Sequence, residues 1–287
     1  MSSRRLVAKT YKLYLDGSLA RSESGRHRAA VDHTGALVAN VPRASRKDVR
    51  DAVKAARESS AGWSARTAYN RGQILYRLAE ALESRAPELA RVAVVQQSVS
   101  EAQARAELGA AVDVLVHCAG WTDKLGALLG SVNQVVAPYH SVTTVEPTGV
   151  VAILAPDAPD LLGLVWEIAA VLAAGNVAVA LVSERWPLRS LDFGEVAGIS
   201  DVPRGVVNLL SGERGELLEH LCGHRDVNAI VDATGLSELR AQIDLLAADT
   251  VKRVLRIPGH DGGIADGALG RLEAMTERRT AWHPVGV

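Results

Sequence analysis

The 287 residues carry 32 Lys and Arg against 33 Asp and Glu, a formal net charge of −1. Nothing in that balance draws the chain to nucleic acid or to an anionic membrane surface. Two cysteines, Cys118 and Cys222, do not make the disulfide framework of a small secreted domain. The charged start Met1–Arg5 is not followed by an apolar run long enough for a signal peptide, so a soluble, cytoplasmic chain is expected.

Tyr11 to Val41 alternates apolar and polar residues around Asp16-Gly17 and Thr34-Gly35, which predicts short antiparallel strands joined by turns. Ser45 with Asp48 three positions on predicts a capped helix running to about Ser59. Ile74, Leu75, Leu78, Ala81, Leu82 and Leu89 keep helical spacing, with Pro87 opening a new helix. Residues 92–129 read as mostly helical. Gln134 to Val145 is rich in β-branched residues and reads as a two-stranded ribbon.

From Val150 the pattern alternates strand and helix. Strands are predicted at 150–154, 177–181, 206–210, 229–232 and 252–257, and helices at about 160–174, 187–198, 213–222 and 236–248. That alternation requires crossover connections, hence a Rossmann-like parallel α/β sheet with helices on both faces. Ligands of such sheets sit at the carboxyl ends of the strands. The apolar stretch 161–182 contains Glu167 and the turn signal Gly175-Asn176, so it reads as a buried helix running into a strand, with no membrane span. A charged helix is expected near Ala268–Arg279. Three units follow: 1–145, with the N-terminal strands, helices and ribbon; 146–259, the Rossmann-like domain; and the tail 260–287.

Three blocks in order carry a resemblance: Glu146–Pro156, Leu172–Glu184 and Val202–Gly212. Tyr14-Leu15-Asp16-Gly17, Gly62-Trp63 and Ala119–Lys124 support it in order and spacing. Together they resemble the aldehyde dehydrogenase superfamily, and the chain looks like its N-terminal, cofactor-binding portion without the catalytic domain. The resemblance implies that residues 134–145 are an oligomerisation ribbon. It also implies NAD(P) as cofactor, with Glu184 on the adenosine ribose and Gly205 and Gly212 at turns near the cofactor.

Several functional positions depart from the family pattern. Where the family has Pro-Trp-Asn, whose Asn amide holds an oxyanion, this chain has Pro156-Asp157-Ala158. The ribose-binding Lys is replaced by Leu181. The Gly-Ser-Thr segment that receives pyrophosphate at a helix N-terminus becomes Asp232-Ala233-Thr234-Gly235-Leu236-Ser237, and the glutamate base of the next block becomes Arg256. No cysteine follows Cys222, and both cysteines lie in predicted helices, so no catalytic residue is assigned. His220, Cys222 and His224 cannot share one helix face, and no metal site is expected.

The resemblance therefore implies no NAD(P) binding, or weak binding, and a pseudoenzyme subunit. That subunit would assemble as a homo-oligomer or as a hetero-oligomer with a full-length aldehyde dehydrogenase. Two alternatives remain: an oxidoreductase subunit whose cysteine comes from another chain, and a nucleotide-binding regulatory module.

Overall fold

The computed structural model describes residues 8–136, 138–257 and 268–285. The chain opens with β1 (Lys9–Thr10), β2 (Leu13–Leu15), β3 (Ser18–Ala20), β4 (His27–Val31) and β5 (Leu37–Pro42). Both expected hairpins form. Asp16 (φ 47°) and Gly17 (φ 71°) are left-handed, as the two-residue turn between β2 and β3 requires. The five strands do not, however, make one local meander. β1 pairs parallel with β5, whose other edge carries β4, whereas β2 joins the large sheet antiparallel to a strand 195 positions later, through Tyr14 and Leu209.

Helix α1 (Arg46–Ser64) starts at the expected Ser45 cap. The Ser45 hydroxyl accepts from the Asp48 amide and the Asp48 carboxylate accepts from the Ser45 amide, so two orphan donors are satisfied reciprocally. The helix outruns its predicted end because Trp63 is buried on the core side, its Nε1–H donating to the Leu172 carbonyl at 3.3 Å. Helices α2 (Ala68–Ser84) and α3 (Ala86–Gln97) meet at the Pro87 break. The long helical reading of 92–129 breaks twice. Ser98 is left-handed (φ 59°) and Ser100 caps a new helix, α4 (Glu101–Trp121); α5 (Leu125–Leu129) follows a turn.

The expected ribbon has different bounds and a third strand. Its strands are β6 (Ser131–Asn133) and β7 (Tyr139–Pro147), with 134–136 outside them. The charged helix expected near Ala268–Arg279 stops at Ala274 (α10, Ala268–Ala274), and Thr276–Pro284 is a strand, β13. β13 pairs antiparallel with β7 along nine positions, from Thr276 opposite Pro147 to Pro284 opposite Tyr139. Helix propensity in 268–279 loses to this ladder, together with burial of Leu272 and Met275 against the core.

The doubly wound portion follows the expected alternation: β8 (Val150–Leu154), α6 (Asp160–Ala173), β9 (Val177–Leu181), α7 (Pro187–Ile199), β10 (Val207–Leu210), α8 (Arg214–Cys222), β11 (Ala229–Asp232), α9 (Arg240–Ala248) and β12 (Arg253–Arg256). A 3-10 turn, Ser237–Leu239, replaces the first turn predicted for the helix at 236–248. The sheet order is β12-β11-β8-β9-β10-β2-β3, its first five strands parallel. Strand order reverses between β8 and β11, the position at which such sheets open a crevice.

β8, β9, β10 and β11 are buried throughout, as is α6 along its whole length. One apolar core runs from Leu13 and Val49 through α4 to the sheet and on to Leu272, crossing residue 145 without a break. One charge buried beside it is paired twice: Arg189 on α7 reaches Asp160 at the start of α6 and Glu107 on α4. Among the described residues no helix is long and apolar enough to cross a membrane.

Candidate functional site

The carboxyl ends of the parallel strands border an open groove of about 420 Å³ whose walls include Asp157, Glu184, Arg185 and Arg214. Each comes from a different strand end: Asp157 follows β8, Glu184 and Arg185 follow β9, and Arg214 begins α8 after β10. Arg28 enters from β4, and Leu236 and Leu239 close the side after β11.

These side chains bond to one another. The Arg214 guanidinium, 7% exposed, holds both Asp157 oxygens at 2.8 and 2.9 Å and donates to the Ala155 carbonyl at 2.9 Å. Asp157 also accepts from the Ser183 hydroxyl at 2.8 Å and the Arg185 amide at 3.2 Å. Burial alone would raise the Asp157 carboxyl; Arg214, Ser183 and the Arg185 amide override it and hold the group at about 2. Glu184 is engaged at both ends. Its carboxylate accepts from the Arg214 amide at 2.9 Å, on the first residue of α8, while its carbonyl accepts from Arg28. A carboxylate on that amide takes up the electropositive start of the helix.

Asp157 thus sits within a charge pair that sequence reading did not foresee. Arg214 was visible only as part of the turn Ser211–Gly215, and Arg28 lies in a segment with no local signal for the groove. Ala158 carries no polar side-chain atom beside Asp157. Leu181, at the end of β9, is buried in the core and offers the groove no donor. Asp232 is buried as the last residue of β11 and accepts from both the Thr234 amide (3.1 Å) and its hydroxyl (2.6 Å), so it stabilises the turn that follows. Gly235 in that turn has φ +70° with open space around it. Arg256 ends β12, exposed, and pairs with Asp244 of α9.

The two glycines are constrained by packing. Gly205 precedes β10 at the opposite, amino end of the sheet; with φ +76°, a Cβ there would meet the Ala55 carbonyl of α1 at 2.5 Å. Gly212 lies at the carboxyl end, where a Cβ would meet Leu217 of α8 at 2.6 Å. The structure brings Glu184 and Asp157 together and leaves Gly205 and Arg256 outside their cluster. Glu213, before α8, turns to Arg43 at 3.2 Å.

Both thiols lie in the core. Burial, its largest cause, pushes Cys118 and Cys222 each up to about 12. His224 accepts from the Asp226 amide at 3.2 Å. Among the described residues no group of three or more His, Cys, Asp or Glu side chains is placed to hold a metal ion.

Five parallel strands in this order, with a groove at their carboxyl ends, define a Rossmann-like α/β protein. The sequence model of the aldehyde dehydrogenase family matches residues 20–262, and the chain belongs to that family. It is 32% identical over 81% of its length to the mouse mitochondrial 10-formyltetrahydrofolate dehydrogenase, of which it covers 26%. It is 31% identical over 85% of its length to a Bacillus subtilis protein described as putative aldehyde dehydrogenase DhaS, of which it covers 50%. Its fold matches that of Staphylococcus aureus betaine aldehyde dehydrogenase, solved in complex with NAD+, with a TM-score of 0.80 and 26% identity over 85% of this chain and 49% of that one. The chain thus spans a quarter to a half of the relatives it matches.

Proposed function

We infer that this chain is a non-catalytic aldehyde dehydrogenase-fold subunit that acts by assembly, with itself or with a full-length aldehyde dehydrogenase. One observation carries the reading: the carboxylates at the strand ends, Asp157 and Glu184, are already held by donors of this chain. The donor set does not fit a dinucleotide. At the turn where the resemblance places the pyrophosphate, Asp232 adds a carboxylate that caps that turn, and buried Leu181 offers no donor to a ribose. Within these 287 residues neither cysteine supplies a thiolate near neutral pH, and Ala158 provides no donor for an oxyanion.

The assembly half of the reading draws on the ribbon, which the family resemblance assigns to subunit contacts. Its outer strand β13 is exposed from Glu277 onward, and Val132 and Trp282 are 70% and 59% exposed. A long strand with one free edge and large exposed apolar side chains is a ready template for another strand.

A second reading, a nucleotide-binding regulatory module, draws on Arg28 and Arg214, each of which keeps a buried Nε–H without a partner. One set of measurements separates the two. The purified protein is titrated with NAD+ and NADP+ by calorimetry, assayed with a simple aldehyde, and sized by light scattering. The assembly reading expects no micromolar nucleotide affinity, no turnover and a species larger than a monomer. Micromolar binding by an inactive protein transfers the conclusion to the module, and aldehyde turnover overturns both.

A further inference from the structure

Beneath the start of β4, between the small sheet and the turn after β3, lies a cavity of about 330 Å³ that shares no wall residue with the strand-end groove. Lys12, Arg21, Arg26 and His27 line it, together with the apolar surfaces of Tyr11 and Pro42, and no carboxylate does. Each of four other surface cavities has an Asp or Glu in its wall.

Nearby carboxylates are committed elsewhere. Asp48 accepts from Ser22, from the Glu23 amide and from the Ser45 amide, and Glu23 pairs with Lys47 at 2.8 Å. Arg26 touches Glu216 at 3.3 Å through one nitrogen, leaving its other N–H groups available. Among the described residues the side chains of Lys12 and Arg21 have no ion pair or hydrogen-bond partner. The His27 Nδ1–H donates to the Gly25 carbonyl at 3.1 Å, which fixes the ring with Nε2 as its second polar atom. That atom accepts from a protonated phosphoryl oxygen, or as part of an imidazolium donates to an ionised one.

We propose that this cavity binds a small organic phosphate monoester. Lys12 and Arg21 bring two unpaired positive charges to one wall beside His27, and Arg26 brings a third that is only partly offset by Glu216, so an anion of about −1.5 to −2 finds a net positive lining. A singly charged carboxylate would use only part of the set. The Tyr11 and Pro42 walls favour an apolar substituent on the phosphate, and the volume lies at the small end of ligand sites. The site is independent of the assembly reading, because it involves neither the groove nor the ribbon.

The test uses the full chain and phenyl phosphate as probe. Titration followed by amide chemical shifts should be saturable in the millimolar range or below, with shifts concentrated at 10–12, 21–27 and 42. The K12Q/R21Q variant should bind at least about tenfold more weakly, since two charge-assisted contacts are lost. The groove variant Arg185→Gln should bind as the wild type does. Inorganic phosphate should bind more weakly than phenyl phosphate, and phenol should not bind. Shifts centred on the groove, no saturation, or unchanged affinity in K12Q/R21Q each overturn the proposal. Equal binding of inorganic phosphate overturns its organic half. Because the shift map is recorded on wild-type protein, it decides the question even if the double variant folds poorly.

Discussion

Arg214 grips Asp157 with two guanidinium nitrogens, at 2.8 and 2.9 Å, across the mouth of the groove where the strands β8 and β10 end. The pair joins two loops that the chain separates by 57 positions, and its partners reach a third loop through Ser183 and Glu184. Asp157 at about 2 lies below its ordinary 3.8, so its contribution to stability is present above pH ~4 and is lost as pH falls toward 2. Asp157→Asn should therefore destabilise the fold near neutral pH by about 1–3 kcal/mol, a range that allows for the partial exposure of the carboxylate. The difference from wild type should shrink by pH 2.5. Urea titrations at both pH values check this; equal differences would assign the loss to packing alone.

The two thiols give a second expectation. With both pushed up to about 12 by burial, native protein at pH 8 should react with a disulfide reagent at least about a hundredfold more slowly than unfolded protein. Two equivalents should appear on adding denaturant. Rapid labelling of one thiol in the folded state would show that its helix opens.

Two glycines separate strain from collision. Gly235→Ala meets open space and pays only for its left-handed backbone, about 1 kcal/mol. Gly205→Ala has the same backbone demand and also drives a methyl group against the Ala55 carbonyl, so a loss of more than about 2 kcal/mol is expected. Chemical denaturation of the two variants side by side gives the comparison.

Val142 sits in the middle strand of the ribbon, opposite Val132 on one side and Ala281 on the other. Val142→Pro removes a ladder donor where both edges are paired, so β7 should detach from a neighbour. Light scattering is expected to report a smaller or aggregating species. An unchanged particle size would mean that the ribbon takes no part in assembly.

The alternating half of the molecule was legible because its strands are continuous apolar runs separated by clear turns, as Val150–Leu154 and Val177–Leu181 show. The Ser45–Asp48 box was equally plain, since both of its partners lie within one turn of helix. What stayed hidden was long-range. Thr276–Pro284 has no apolar alternation, because only Thr276 is buried; its strand character comes from β7. Tyr11 to Val41 shows its hairpins but not that β2 leaves for another sheet. In the groove, the departures at Asp157 and Leu181 were visible residue by residue. That Asp157 had acquired a cation was not, because Arg214 looks like an ordinary turn residue until the strands are side by side.

Thr143 and Thr280 share a hydrogen bond across the β7–β13 ladder although 137 positions separate them. While the ribosome is still making the intervening segment, β7 can pair only with β6, over three residues, and its other nine-residue edge stays bare. A nascent chain at that stage is open to strand exchange with any neighbour carrying the same edge. The ladder that closes this edge in the folded chain cannot form until Thr276–Pro284 has been made, so the ribbon is completed among the last steps of folding.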